Sequence, residues 1–361
     1  MFEAPLFAFL GAAATNLAVT PWVIRQLRQR SLLDIPNERS SHATPVPRGG
    51  GVLIVATWLT GMVATWILGF KVPALEIALP DGFVITATVG MTVLALMGYL
   101  DDRSDLSAPL KLAVQLAVAG QALWLSGLRL ADFGLPFLPA WDLGTWGWVA
   151  ALVWLVGFTN IYNFMDGING LAFTQLILGG LAFSLLGILI RDYELAVSGA
   201  LAAGAAAGIL KYNFPSAEVF MGDVGSLPTG FLLALMALRA AFGPHGGEVP
   251  FVRAALLLWP FLYDGTYTLL NRLAHGRNPL RAHRSHLYQR LVVAGRSHKT
   301  ITARYALAML GCSIAGLAYP VLGRSLRIAV LALVLAVSVG FTVRTVSRVR
   351  AHMTTGGDRT A

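Results

Sequence analysis

Long apolar runs separated by short polar segments dominate this chain. Eleven stretches are apolar over enough residues to be membrane-crossing helices: 4–24, 50–70, 83–100, 109–128, 147–163, 170–190, 195–212, 226–242, 251–272, 301–321 and 327–346. A spanning helix needs about 20 such residues to cross a hydrocarbon core about 30 Å thick. The runs are unbroken rather than alternating in polarity, which excludes a transmembrane β-barrel. The pattern predicts an all-α polytopic membrane protein of about 11 transmembrane helices. One transmembrane domain covers 1–346 and a short basic tail covers 347–361. The first run carries Glu3 and no basic residues ahead of it, so it reads as a membrane helix rather than a cleaved signal peptide.

Composition agrees with this pattern. Of 361 residues, 56% are hydrophobic and 12% charged, about half the charged share of a soluble domain. Mean hydropathy is +0.66. The single cysteine, Cys312, excludes an internal disulfide framework. The net charge of +9 matters less than where it lies. Of 27 Lys and Arg residues, 20 fall on one side, in 25–49, 101–111, at Lys211, in 272–304 and in the tail. Basic loops mark the cytoplasmic face, so the N-terminus is expected outside and the C-terminus in the cytoplasm. These residues flank apolar spans, which makes the lipid bilayer their partner and argues against nucleic acid.

The scarce polar chemistry follows the same asymmetry. Asp34-Ile35-Pro36-Asn37-Glu38-Arg39-Ser40-Ser41-His42 leads to Arg48-Gly49-Gly50-Gly51 before the second span. Asp101-Asp102 closes the third. Adjacent carboxylates at a membrane edge are costly unless they face water or a cation, so they read as a Mg²⁺ site, a general base, or a polar helix end. Asn160, Asn163, Asp166 and Asn169 recur every three residues, which puts them near one face of a helix unless Gly167 and Gly170 end it first. Lys211-Tyr212-Asn213-Phe214-Pro215 leads to Met221-Gly222-Asp223-Val224-Gly225-Ser226, an aspartate between glycines at a helix start, suited either to a phosphate or metal or to simple capping. His283-Arg284-Ser285-His286 lies in the most basic loop and suits a diphosphate. Asp264 sits inside the ninth span, about 12 Å from its end, as a functional or helix-packing carboxylate. All these clusters except Asp264 fall at cytoplasmic helix ends. They point to one cation-assisted phosphate site.

In this order, Asp34-Ile-Pro-Asn37…Arg39…His42, Leu100-Asp101-Asp102, Asn163-Phe-Met-Asp166-Gly167, Val219-Phe-Met-Gly-Asp223-Val-Gly-Ser226 and His283-Arg-Ser-His286 resemble the polyprenyl-phosphate N-acetylhexosamine-1-phosphate transferases. This is the superfamily of phospho-N-acetylmuramoyl-pentapeptide transferase. The Ala282–Gln289 segment is most similar to the branch that starts O-antigen. The resemblance implies transfer of N-acetylhexosamine 1-phosphate from a UDP-N-acetylhexosamine to undecaprenyl phosphate at the cytoplasmic face of a bacterial inner membrane. UMP is released, and Mg²⁺, or Mn²⁺ in its place, serves as cofactor. It implies Asp223 and Asp102 as metal ligands, with Asp101 either a base or a ligand. Asn163, Asp166, Asn169 and Asn213, with His283, Arg284 and His286, would bind the nucleotide-sugar. Asn37, Arg39, His42 and Asp264 are candidates for the lipid phosphate and its loops. Asn169 departs from the family, which often has an aspartate there, so a metal role for it is not expected. The choice among GlcNAc, GalNAc, FucNAc and QuiNAc stays open, and lipid-facing helices allow a homodimer.

Three other assignments are weaker. The peptidoglycan transferase branch tends to have a histidine run where this chain has His283-Arg284-Ser285-His286. A secondary transporter would place polar residues near the midplane, often in inverted repeats, and only Asp264 is deep. A CDP-alcohol phosphotransferase needs further spaced aspartates after Asp166-Gly167, which this chain lacks.

Overall fold

The eighth helix explains the architecture. Asp223–Phe242 is apolar on every side, and a helix with no polar face belongs in the interior. In the computed structural model it is buried along its whole apolar length. The structure describes residues 3–36, 44–71, 82–139, 141–244, 249–277 and 284–356. Asn37, Arg39, His42 and His283 lie outside the described residues.

The helices are α1 (Glu3–Gln29), α2 (Val52–Lys71), α3 (Gly82–Ser104), α4 (Ala108–Ser126), α5 (Trp146–Met165), α6 (Leu171–Leu189) and α7 (Tyr193–Leu210). They continue with α8 (Asp223–Phe242), α9 (Phe251–Leu256), α10 (Trp259–Ala274), α11 (Leu287–Val293), α12 (His298–Ala318) and α13 (Arg324–Gly356). Every expected span falls on a helix, and the protein is an all-α polytopic membrane protein. Nine helices are long and apolar enough to cross a bilayer among the described residues. Of the remaining two spans, α2 is apolar over Val52–Ile67, and the ninth is broken into α9 and α10. Pro260 at the start of α10 has no N–H to continue a helix. The Gln175 side-chain amide donates to the Leu257 carbonyl at the break (3.2 Å), the internal satisfaction that backbone at membrane depth requires.

Around α8 pack α2, α3, α5, α6 and α7, with α1 against α7. Helix association inside a bilayer favours small residues that let backbones approach. Gly204 and Gly208 on α7, four residues apart, lie directly against the Phe9 and Ala13 carbonyls of α1. At the end of α8 away from the aspartates, Arg239 is 4% exposed and donates to both Asp192 oxygens, at 2.7 and 2.9 Å. Asp192 also caps α7 by accepting from the Leu195 N–H. The last helix, α13, lies outermost, with only 6% of its apolar window buried.

Two short strands, β1 (Leu33–Asp34) and β2 (Val46–Pro47), pair antiparallel before α2. The chain after β2 then lies along Phe220 and Met221: the N–H groups of Gly49 and Gly50 donate to the Phe220 carbonyl, and that of Gly51 to Met221. This docking carries Arg48 to the start of α8.

Candidate active site

The end of α3 meets the start of α8 because both backbones are bare there. A Cβ on Gly98 would lie 2.2 Å from the Asp223 carbonyl oxygen, so no side chain fits. Likewise a Cβ on Gly51 would lie 2.4 Å from the Gly225 Cα. These approaches bring Asp102 onto the free N–H groups of α8. Its Oδ1 accepts from the Asp223 N–H (3.1 Å) and its Oδ2 from the Val224 N–H (3.1 Å). A carboxylate at a helix N-terminus satisfies orphan donors and complements the helix dipole. Asp102 thus anchors the helix whose first residue is Asp223.

Arg48 ties the two together. Its Nε lies 2.8 Å from Asp102 Oδ1 and its Nη2 3.1 Å from Asp223 Oδ1. Burial works against its charge, but the carboxylates of Asp102 and Asp223 outweigh it and hold the guanidinium pKa above its ordinary value. Asp101 turns the other way. Its Oδ2 meets Lys111 Nζ at 2.8 Å and its Oδ1 accepts from the Leu106 N–H at 2.8 Å. Asp101 lies close enough to Asp223 for their charges to act on each other. Three acidic and two basic side chains from α3, α4, α8 and the β2–α2 turn therefore form one cluster at a membrane-facing helix end. In sequence Arg48 is only a neighbour of the glycine run and Lys111 only one of the basic residues on the cytoplasmic side. The signal for Arg48 was its place beside the glycine run; nothing local marked Lys111.

The asparagine series divides. Asn160 exchanges hydrogen bonds with Gln115 of α4, at 2.6 and 3.3 Å. Asn163 donates to Ser226 Oγ of α8 at 2.8 Å. These two clamp α5 to its neighbours. The helix ends at Met165, and Asp166 is its C-cap. Asp166 faces the cluster: burial pushes its carboxyl well above the usual carboxylate range, the Asp223 charge pushes the same way, and Arg48 opposes. Asn169 has turned away, donating to the Pro215 carbonyl (3.0 Å). Asn213 is buried and braces this turn, accepting from the Gly170 N–H (2.6 Å) and donating to the Val219 carbonyl (2.8 Å).

The His/Arg loop is brought in by Asp264. This carboxylate, 1% exposed, accepts from the Leu287 N–H (2.9 Å), the Tyr288 N–H (3.3 Å), Thr268 Oγ1 (3.2 Å) and Tyr305 Oη (2.6 Å). His286 Nδ1 lies 3.3 Å from the same group. Asp264 therefore fastens the start of α11 to α10 and α12. Tyr288 Oη continues the link by donating to the Phe164 carbonyl of α5 (2.7 Å). His286 is buried beside Phe164 and Tyr288, while Arg284 is exposed. The sequence order of α10 and α11 hid this arrangement, because Asp264 and His286 are 22 residues apart across a loop.

Carboxylate oxygens at a helix end are the donor set that Mg²⁺ takes, and it needs only one or two of them beside water and substrate phosphates. Asp223 and Asp102 fit this minimum. Among the described residues no group of three or more His, Cys, Asp or Glu side chains is arranged to hold a metal.

Comparison with known proteins places the chain among membrane phospho-sugar transferases. The model of glycosyl transferase family 4 matches residues 84–241, a span that contains Asp101, Asp102, Asp166 and Asp223. The chain is 30% identical over 301 residues to the probable undecaprenyl-phosphate N-acetylglucosaminyl 1-phosphate transferase of Bacillus subtilis, covering 81% of this chain and 78% of that one. It is 29% identical over 330 residues to the decaprenyl-phosphate N-acetylglucosaminephosphotransferase of Mycobacterium tuberculosis, covering 83% and 78%. It is 28% identical over 305 residues to the undecaprenyl-phosphate alpha-N-acetylglucosaminyl 1-phosphate transferase of Thermotoga maritima, covering 81% of each.

Proposed function

Since this chain belongs to glycosyl transferase family 4 and is a phospho-sugar transferase of the membrane, we propose that it joins a UDP-N-acetylhexosamine to undecaprenyl phosphate. The products are undecaprenyl-diphospho-N-acetylhexosamine and UMP. The observation that carries this reading is the convergence of Asp101, Asp102 and Asp223 with Arg48 and Lys111 at one helix end. A lipid phosphate held at the membrane edge and a soluble nucleotide-sugar can both reach that position.

In the step, an oxygen of the lipid phosphate attacks the sugar-linked phosphorus of the UDP-sugar. The phosphoanhydride bond to UMP breaks, and UMP leaves with that electron pair. The sugar C1–O bond is not involved, so the anomeric configuration is retained. A phosphate monoester is largely dianionic near neutral pH and needs no base, so Asp101, held by the Leu106 N–H, has more need to position the Lys111 ammonium for the attacking phosphate than to take a proton from it. Lys111 and Arg48 offer cationic contacts to phosphate oxygens, and Arg284 offers a fork suited to the diphosphate. Mg²⁺ held by Asp223 and Asp102 would neutralise charge on the diphosphate and the departing UMP. Asp166 sits where a nucleotide entering from the cytoplasm would meet the cluster.

The basic loops on the side of the cluster support a cytoplasmic site in a bacterial inner membrane. The Ala282–Gln289 segment supports a role at the first membrane step of O-antigen or a related envelope polysaccharide. The test is UMP release from purified protein, undecaprenyl phosphate and Mg²⁺ against a panel of UDP-sugars. Turnover with at least one UDP-N-acetylhexosamine is expected, and silence with all of them overturns the reading. Asp223→Asn should abolish turnover while leaving the fold intact, and normal activity would remove Asp223 from the metal site.

A further inference from the structure

A cavity of about 780 Å³ lies between α10, α12 and α13. None of its lining residues belongs to α3, α4, α8 or the β2–α2 turn, the elements of the aspartate cluster. Its walls are apolar, including Leu307, Leu333 and Val337, which also face outward from the bundle. α13 meets α10 through two polar contacts, Trp259 Nε1 to Ser338 Oγ and Tyr263 Oη with Thr342 Oγ1, both at 3.0 Å.

One end of this cavity is cationic. Arg304 near the start of α12 and Arg344 and Arg348 near the end of α13 line it. All three are exposed, and none has an ion-pair partner among the described residues. They lie at the basic, cytoplasmic-facing end of antiparallel helices. The lining along α12 runs from Arg304 to Ala315, about 16 Å at the helical rise. That is close to half of a hydrocarbon core about 30 Å thick, the depth that an acyl chain of one leaflet covers. The one carboxylate in the lining, Asp264, is taken up by the α11 backbone, Thr268 and Tyr305.

We propose that this cleft is a binding site for an anionic diacyl phospholipid of the cytoplasmic leaflet, with an acyl chain in the cavity and the phosphate against Arg304, Arg344 and Arg348. The site is separate from the transfer reaction and does not depend on it. The polyprenyl acceptor is disfavoured as occupant, because its phosphate would then lie among arginines and away from Asp101, Asp102 and Asp223. A lipid here would fill the gap under α13 and lie against Leu287 and Tyr305, which pack on the Asp264 anchor of α11.

The test uses full-length protein in detergent, stripped of lipid and titrated with phosphatidylglycerol or phosphatidylcholine, with bound lipid counted by native mass spectrometry. An arginine near an anionic headgroup is worth about fivefold in affinity, so three arginines predict about a hundredfold preference for phosphatidylglycerol. The triple variant Arg304→Gln/Arg344→Gln/Arg348→Gln should lose that preference. A Cβ at Gly311 meets nothing within 4 Å, and Gly311 lines the cavity, so Gly311→Phe should fill it without a backbone clash and exclude both lipids. Equal binding of the two lipids overturns the proposal, as does unchanged selectivity in the triple variant or wild-type occupancy in Gly311→Phe. One-for-one displacement of phosphatidylglycerol by undecaprenyl phosphate reassigns the cavity to the acceptor and also overturns it.

Discussion

Replacing Arg48 tests whether the aspartate cluster is organised as described. Arg48→Gln removes two contacts, the 2.8 Å ion pair with Asp102 and the 3.1 Å ion pair with Asp223. Hydrogen bonds to charged groups contribute about 1.5–3 kcal/mol each, so the pair together is worth about 3–6 kcal/mol before solvent is considered. The Arg48 side chain is 37% exposed, and water takes over part of what the guanidinium did. Roughly half the effect, about 1.5–3 kcal/mol, should remain, and to the extent that it falls on the transition state, at 1.36 kcal/mol per decade that is a loss of about 10- to 150-fold in kcat/KM. Arg48→Lys keeps the charge but cannot span both carboxylates as a planar fork does, so it should fall between the two. The assay is UMP release at saturating Mg²⁺, with thermal unfolding in the same detergent as control. Turnover of Arg48→Gln within about threefold of wild type, with folding unchanged, would refute the claim that Arg48 sets the geometry of Asp102 and Asp223.

Three further outcomes follow from contacts elsewhere in the molecule. Asp264→Asn places an amide N–H against donors that now meet a carboxylate; stranding one or two of them should cost about 2–5 kcal/mol, read as a fall in Tm, and should raise KM for the UDP-sugar more than it lowers kcat, because Asp264 acts through the Arg284 loop. Arg239→Met leaves Asp192 buried without its partner and should destabilise by about 3–5 kcal/mol, whereas the paired change Arg239→Met/Asp192→Asn should recover part of that loss in the same unfolding assay. Asp142 is held at a pKa of about 2 by its hydrogen bonds to Arg129 and the Gly144 N–H. A depressed carboxylate stabilises the fold above its unfolded pKa near 4, so the Tm gap between wild type and Asp142→Asn should be constant from pH 5 to 8 and shrink as pH falls toward 2; a gap that widens on acidification refutes this.

What could be read in sequence, and what could not, divides along one physical line. Burial in a bilayer imposes a length and a composition on each helix separately, so all eleven spans were visible as runs of apolar residues, and the glycine-flanked aspartates at their ends stood out against so apolar a background. A side chain's partner across the bundle leaves no comparable mark. Arg48 and Asp223 are 175 residues apart, and what joins them is the absence of side chains at Gly51 and Gly98, where the backbones of α3, α8 and the β2–α2 turn meet. The three-residue recurrence of Asn160, Asn163, Asp166 and Asn169 was real, but period gives only the face of a helix and never what covers it. Two asparagines meet neighbouring helices, the helix ends before the third position, and only Asp166 is left toward the cluster. Pro260 carried a local signal for the break between α9 and α10, and apolar character outweighed it, since hydropathy does not register a missing N–H. In a membrane protein a polar side chain either joins helices or faces a ligand, and sequence shows the expense of placing it there without showing which. Asp264 makes the point: its depth marked it as a functional candidate, and its hydrogen bonds to Leu287, Tyr288, Thr268 and Tyr305 show that it holds the Arg284 loop in place.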